Sequence, residues 1–287
     1  MPNYSIWAME FATIQNMPDV VLVYGKAEGT RVLPFHYDVV LGEGRVILID
    51  AGFSDNEFCS AQVSHWGADI FTPPSEILPR IGLKPEDVDT ILVSHHHWDH
   101  ISGINYFPNA TVYMQKRDAE AWMSMICEEP KTRWLSNGLD PQTGQDLVRL
   151  GAEGRLRLVD EVTEVAPGIH IRPAHNTHTP GSQYVVVEAN DGGAPWVFPG
   201  DVGYVYDNFG GPDGEGPLHP IGHAMGSTVC CIRSTREMLA TAGDNVGRIV
   251  ASHDARIWER FPSMQAQDGN HIAEIQLATG TQSRIGR

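Results

Sequence analysis

The chain has 287 residues, enough for one large domain or two ordinary ones, and 41% of them are hydrophobic. Such a chain can bury a core without a disulfide scaffold. Lysine and arginine total 20 against 36 aspartates and glutamates, so a formal charge of −16 argues against nucleic acid as a partner.

The start of the chain has no basic segment leading into an apolar one, and no stretch of 18 apolar residues occurs. A cytoplasmic protein without a membrane partner is expected. Short apolar runs then alternate with glycine and proline. Val20–Tyr24, Tyr37–Leu41 and Val46–Asp50 read as strands, the last two joined by a turn at Gly42-Glu43-Gly44. Ser75–Ile81 reads as a short helix stopped by Gly82, and Thr90–Val93 as a strand. Thr111–Met114 is the next strand, followed by a helix over Asp118–Met125. From Glu128 to Gly154 the pattern is polar and irregular, which suggests a loop-rich insertion over one face. Strands resume at Leu156–Val159, Ile169–Arg172, Tyr184–Glu188 and Trp196–Phe198. A helix over Ser227–Ala242, a strand at Arg248–Val250 and an amphipathic helix including Ile272–Ala278 complete the reading. The strand-then-helix style repeats in residues 1–160 and 161–287, so residues 1–287 read as one domain with two similar β/α halves.

Four cysteines, Cys59, Cys127, Cys230 and Cys231, form no C-x-x-C pair and read as reduced thiols. The 13 histidines are the anomaly. His95, His97, Asp99 and His100 form H-x-H-x-D-H directly after the Thr90–Val93 strand. Sites in layered α/β proteins lie at such strand ends. Alternate positions in an extended loop turn His95 and His97 to one side, and Asp99 and His100 to the other. Imidazole and carboxylate together suit zinc, iron, cobalt or manganese. Four donors in six residues exceed what one catalytic ion with an open position requires, so two ions are expected.

H-x-H-x-D-H after a strand resembles the metallo-β-lactamase superfamily. Further segments follow in the order of that family: Val46–Gly52 ending in Asp50-Ala51-Gly52, His178-Thr179-Pro180-Gly181, Phe198-Pro199-Gly200-Asp201, and Ala251-Ser252-His253-Asp254. The resemblance implies an αββα four-layer sandwich of the α/β kind. It implies His95, His97 and His178 on one metal, Asp99, His100 and His253 on a second, and Asp201 bridging both. His175 is the rival of His178; the Thr-Pro-Gly after His178 favours the latter. His96 is expected to point away from the ions, and Asp50 to orient the histidine loop as an acceptor.

Asp201-Val202-Gly203-Tyr204 is similar to the N-acyl homoserine lactone lactonases and the 4-pyridoxolactonase branch, where a tyrosine follows the bridging aspartate by three residues. Gly82-Leu83-Lys84-Pro85-Glu86-Asp87-Val88-Asp89 resembles the stretch before their metal loop. Departures are Ser182, where many have a second histidine, Trp98 in place of phenylalanine, His36 before the early strand where an apolar or small residue is common, and a glycine-rich loop from Gly210 to Pro217.

The implied activity is that of a hydrolase with two divalent ions, zinc foremost, whose bridging hydroxide opens a small lactone. Tyr204 would help to stabilise the oxyanion, and Asp99 would carry the proton to the leaving alkoxide. Cyclic amides or imides, aromatic lactones, thioesters and phosphotriesters would suit the same machinery. A non-hydrolytic binding protein or an iron oxygenase of the same fold are the alternatives outside hydrolysis. Trp98, His36, Phe209, His219 and His223 are candidate pocket residues, and His65 and Trp66 candidate parts of a lid. His170 and His271 have no functional context. The partner is a small acyl compound; the oligomeric state stays open, with a homodimer common among relatives.

Overall fold

The computed structural model describes residues 2–70 and 72–285. In chain order its strands begin with β1 (Tyr4–Pro18), β2 (Thr30–Gly42), β3 (Arg45–Ile49), β4 (Ala68–Ile70), β5 (Thr90–Leu92), β6 (Thr111–Gln115) and β7 (Leu156–Val159). They continue with β8 (Thr163–Ala166), β9 (Ile169–Pro173), β10 (Gln183–Val187), β11 (Trp196–Phe198), β12 (Ser263–Gln265) and β13 (His271–Gln276). One sheet runs β12-β13-β1-β2-β3-β5-β6-β7, with β4 paired to β1; the other runs β11-β10-β9-β8. From β3 to β7 the pairing is parallel, and the connections carry helices Glu57–Trp66, Lys116–Met125 and Pro141–Ala152.

Side-chain alternation explains the layering. Along β1, Tyr4, Ile6 and Ala8 face the second sheet and pack with Ile169, Ile171, Val185 and Val187. Trp7, Met9 and Phe11 face the other way, toward Ile77, Ala119 and Leu147 in the helical segments. A register shift between Glu10 and Ala12 keeps the second half of β1 apolar toward the helices. On the outer face of the small sheet, Tyr184, Val186 and Val197 pack under Met238 of helix Thr228–Thr241. Helices, sheet, sheet and helix make the expected αββα sandwich.

Four local expectations are corrected. Val20–Tyr24 is the tip of the β1–β2 connection, with a helical turn over Asp19–Leu22. Its valines cover residues 205–225 instead of entering a sheet: His223 N–H donates to Val21 O, and Asn208 Nδ2 donates to Leu22 O. Arg31, bonded to Asp19 and Asp207, ties the tip down. The irregular stretch 128–154 contains a twelve-residue helix, Pro141–Ala152. Its start was written in Asp140-Pro141, since Asp140 caps Gln142 N and proline suits the first turn. In place of a strand at Arg248–Val250, a 3-10 turn over Val246–Arg248 is followed by an isolated bridge from Ile249 to Val197. Most of Ile272–Ala278 lies in strand β13, which ends at Gln276, because apolar residues on both faces fill two cores at once. Strands β1, β4, β8 and β12, unassigned from the sequence, complete the sheets.

Residues 51–52 after β3 lie directly on the turn that carries the histidine motif. Ala51 N–H donates to His100 O and Gly103 N–H donates to Gly52 O. A Cβ at position 103 would stand 2.2 Å from Ala51 O. Gly103→Ala should therefore cost about 1–3 kcal/mol by overpacking. Thermal unfolding measures the loss, and an unchanged midpoint would contradict this account of the contact.

Candidate metal centre

After β5 the chain runs as a loop through Ser94–His97, bending at Ser94 and His96, and then turns into a short helix, Trp98–Ile101. Asp50, just after β3, shapes this loop from below. Its φ of 63° is unusual for a non-glycine residue and swings the carboxylate under the motif. Asp50 Oδ1 accepts from Ser94 N at 2.7 Å, and Oδ2 accepts from Ser94 Oγ at 2.8 Å and His100 Nδ1 at 2.7 Å.

Two groups of donors result. In the first, His97 Nδ1 is 2.9 Å from His95 Nε2 and 2.7 Å from His178 Nε2. Asp201 Oδ2 stands 3.6 Å from His95 Nε2 and 3.5 Å from His178 Nε2. In the second, His100 Nε2 is 3.4 Å from His253 Nε2 and 3.3 Å from Asp99 Oδ2. Asp201 Oδ1 lies 3.3 Å from His100 Nε2 and 3.1 Å from His253 Nε2. Each oxygen of Asp201 thus serves a different group.

The outer nitrogens fix what the inner ones offer. His178 Nδ1 donates to His223 O at 2.9 Å, and His253 Nδ1 donates to Pro34 O at 2.8 Å. Ser94 gives its only hydroxyl proton to Asp50, so its oxygen accepts from His95 Nδ1. His95 and His178 therefore turn bare lone pairs toward the same point as His97 Nδ1. Burial, with His100 adding to it, holds His95 well below the ordinary histidine range, and burial with His178 does the same for His97. Burial brings His178 down to about 4. Burial opposes a proton on His100 as well, but the carboxylates of Asp201, Asp99 and Asp50 outweigh it and raise that group.

Unprotonated nitrogens this close repel unless a cation lies between them. Around zinc, with bonds of about 2.0–2.1 Å, tetrahedral donors stand roughly 3.3 Å apart, and the observed separations bracket that value. The residues fit divalent ions, and nitrogen with carboxylate oxygen suits zinc, manganese, cobalt or iron.

The groups form the floor of a cavity of about 670 Å³. Tyr204 lines it, with its hydroxyl 3.3 Å from His178 Nδ1. Burial, then the charges of Asp201 and Asp99, push its hydroxyl well above the ordinary tyrosine range, so it remains a proton donor. Trp98, His223, His65 and Trp66 also line the cavity.

Three sequence candidates do not reach it. His36 lies one residue out of phase on β2: Phe35 faces the cavity, while His36 turns to Ala251 O, Asp38 and the Trp258 ring. Phe209 is fully buried in the core over the small sheet. His219 supports Asn208 through its carbonyl and is absent from the lining. His175 is bonded to Gln115, away from the donor groups. His96 turns from the cluster to the edge of Trp122, its ring nitrogens without hydrogen-bond partners among the described residues, and burial lowers it to about 3. The sequence reading missed Trp122, Trp134 and Leu135 as cavity walls. The last two lie in the stretch taken as an irregular insertion, where only their apolar character hinted at a role.

Asp50→Asn keeps the side-chain shape but replaces one carboxylate oxygen by an amide donor facing the loop. Loss of such a partner typically weakens metal binding about 10–100-fold. Chelator competition measures this, and wild-type affinity in the variant would remove Asp50 from that role.

The sequence pattern of the metallo-beta-lactamase superfamily matches residues 35–255. An N-acyl homoserine lactonase, AttM, of Azorhizobium caulinodans is 26% identical over 234 residues, 75% of this chain and 79% of the relative. Among solved structures, the hydrolase AbOPH superposes with a TM-score of 0.68 at 21% identity, covering 97% of this chain and 96% of the other. AidC, a dizinc quorum-quenching lactonase, gives a TM-score of 0.63 at 16% identity over 97% and 96% of the two chains. With the fold, the order of the motifs and a match over most of its length in agreement, this chain belongs to the metallo-beta-lactamase superfamily.

Proposed function

We propose that this protein, a metal-dependent hydrolase, opens a small neutral lactone over a pair of divalent ions, with zinc as the first candidate. The observation that carries the reading is the arrangement of two donor groups sharing Asp201 beneath Tyr204 at the floor of one cavity. His95, His97 and His178 would hold one ion and Asp99, His100 and His253 the other. Relatives that are N-acyl homoserine lactonases support the lactone substrate.

Two bound cations supply Lewis acidity and bring the pKa of water from about 15.7 toward neutrality. The chain's own groups act around the reacting carbonyl. Tyr204 keeps its proton and donates a hydrogen bond to the carbonyl oxygen as negative charge builds there. Asp99, which lines the cavity, accepts the proton of the attacking water and passes it to the alkoxide released when the ring opens. Apolar walls from Ile14, Met17, Leu22, Leu33 and Phe35 exclude water and accommodate a hydrophobic acyl group. Among the described residues that line it there is no lysine or arginine, which favours a neutral substrate over a polyanion.

A substrate panel tests the reading: acyl homoserine lactones of several chain lengths, aromatic lactones, a cyclic imide, a thioester and a chromogenic phosphotriester. Lactones should be turned over fastest, and chelation should abolish turnover reversibly. Preference for any other class would replace the lactone assignment, and full activity after metal removal would end the metal reading. Tyr204→Phe should retain metal and lose about 100-fold or more in kcat; an unchanged kcat/KM would take Tyr204 out of the mechanism.

A further inference from the structure

Asp118 is a buried carboxylate outside both donor groups that reaches two of the loops carrying them. Asp118 sits in the first turn of helix Lys116–Met125 and is 1% exposed. Its Oδ2 accepts from His96 N at 2.8 Å, and its Oδ1 accepts from Gly181 N at 3.0 Å. His96 lies between His95 and His97, and Gly181 lies three residues beyond His178. One side chain therefore grips both loops that deliver the first three imidazoles.

The contact is close from both sides. A Cβ at position 181 would stand 2.2 Å from Asp118 N and 2.6 Å from its Cα, so only glycine lets this loop rest on the helix start. Among the described residues no lysine, arginine or histidine forms an ion pair with Asp118. Burying a charge without a cation is costly, and burial pushes this carboxyl up to about 6. An asparagine could not replace it in kind, because it offers one acceptor and one donor to two backbone N–H groups.

We propose that Asp118 is a positioning residue that holds the His95–His97 loop in register with the His178 loop, setting the spacing of three imidazole nitrogens for one metal ion. The inference rests on the two-cation reading above. Other bonds across this seam lie at the strand ends: Gln183 N donates to Ser94 O at 2.9 Å, and Gln183 Nε2 to Val93 O at 2.6 Å. Asp118 acts at the loops themselves, so its loss should disturb one donor group and spare the other.

The test is titration of the metal-free protein with cobalt(II) under chelator competition, following the visible absorption of the bound ion. Wild-type protein should take up two equivalents. Asp118→Asn should weaken one of them about 10–100-fold, alter its absorption band, and leave the other unchanged. Asp118→Glu, which keeps both acceptor oxygens, should recover part of the loss. Wild-type binding of both equivalents in Asp118→Asn overturns the proposal. So does equal weakening of both, which would mark a general structural role. Should Asp118→Asn fail to fold, Asp118→Glu against wild type carries the test, since the longer side chain must displace one loop; two unaltered equivalents there overturn the proposal. A wild-type protein that binds only one equivalent overturns the two-cation reading instead. Asp118 then stands or falls on whether that single equivalent weakens.

Discussion

Imidazole has two nitrogens, and the partner of the outer one decides what the inner one can offer. In this protein the outer nitrogens of His95, His100, His178 and His253 are anchored on Ser94, Asp50, the His223 carbonyl and the Pro34 carbonyl. Those anchors come from four separate stretches of chain. Each fixes a tautomer and a ring direction, and together they gather the inner nitrogens into two adjoining groups that share Asp201. Most of the structure around the cavity follows from that requirement.

Asp50 shows how closely the requirement binds backbone to chemistry. A left-handed residue at the end of β3 is an expense in conformational energy, yet it puts one carboxylate in reach of Ser94 and His100 together. The adjoining Ala51-Gly52 pair then seats against the turn at His100 and Gly103. Asp118 does comparable work on the opposite side through backbone N–H groups. Buried carboxylates thus appear in two capacities: Asp201 turned toward the inner nitrogens, and Asp50 and Asp118 turned toward the scaffold that aims them.

The cavity above has a different character. Its walls are mainly apolar and aromatic, from the first two strands, helix Glu57–Trp66 and the 134–138 segment, with Gln62, His65 and Asn137 among them, while the charged groups gather at the floor. The overall acidity of the chain does not enter the cavity except at Asp99 and Asp201. The ion pairs of Arg31 with Asp19 and Asp207 lie behind the wall, fastening the 19–22 turn to the stretch that follows Tyr204. Recognition of an apolar body and reaction at a charged floor are therefore separated in space, though both depend on the same pair of sheets.

Short, dense motifs showed which donors can meet without knowledge of the fold. His95–His100, His178-Thr179-Pro180-Gly181, Asp201 through Tyr204, and His253 were legible because spacing within a loop constrains direction over only a few residues. Most strands with β-branched alternation were legible for the same local reason. The tertiary structure decided the rest. Strand β13 read as a helix because its residues are apolar on both faces, and only two cores meeting across one strand explain that pattern. His36 and Phe35 were indistinguishable in reach until the pairing of β1 with β2 fixed which of them faced the cavity. The role of Asp118 was invisible for a related reason: its partners are backbone N–H groups, at His96 and Gly181, and a backbone group leaves no signature in the residue that carries it.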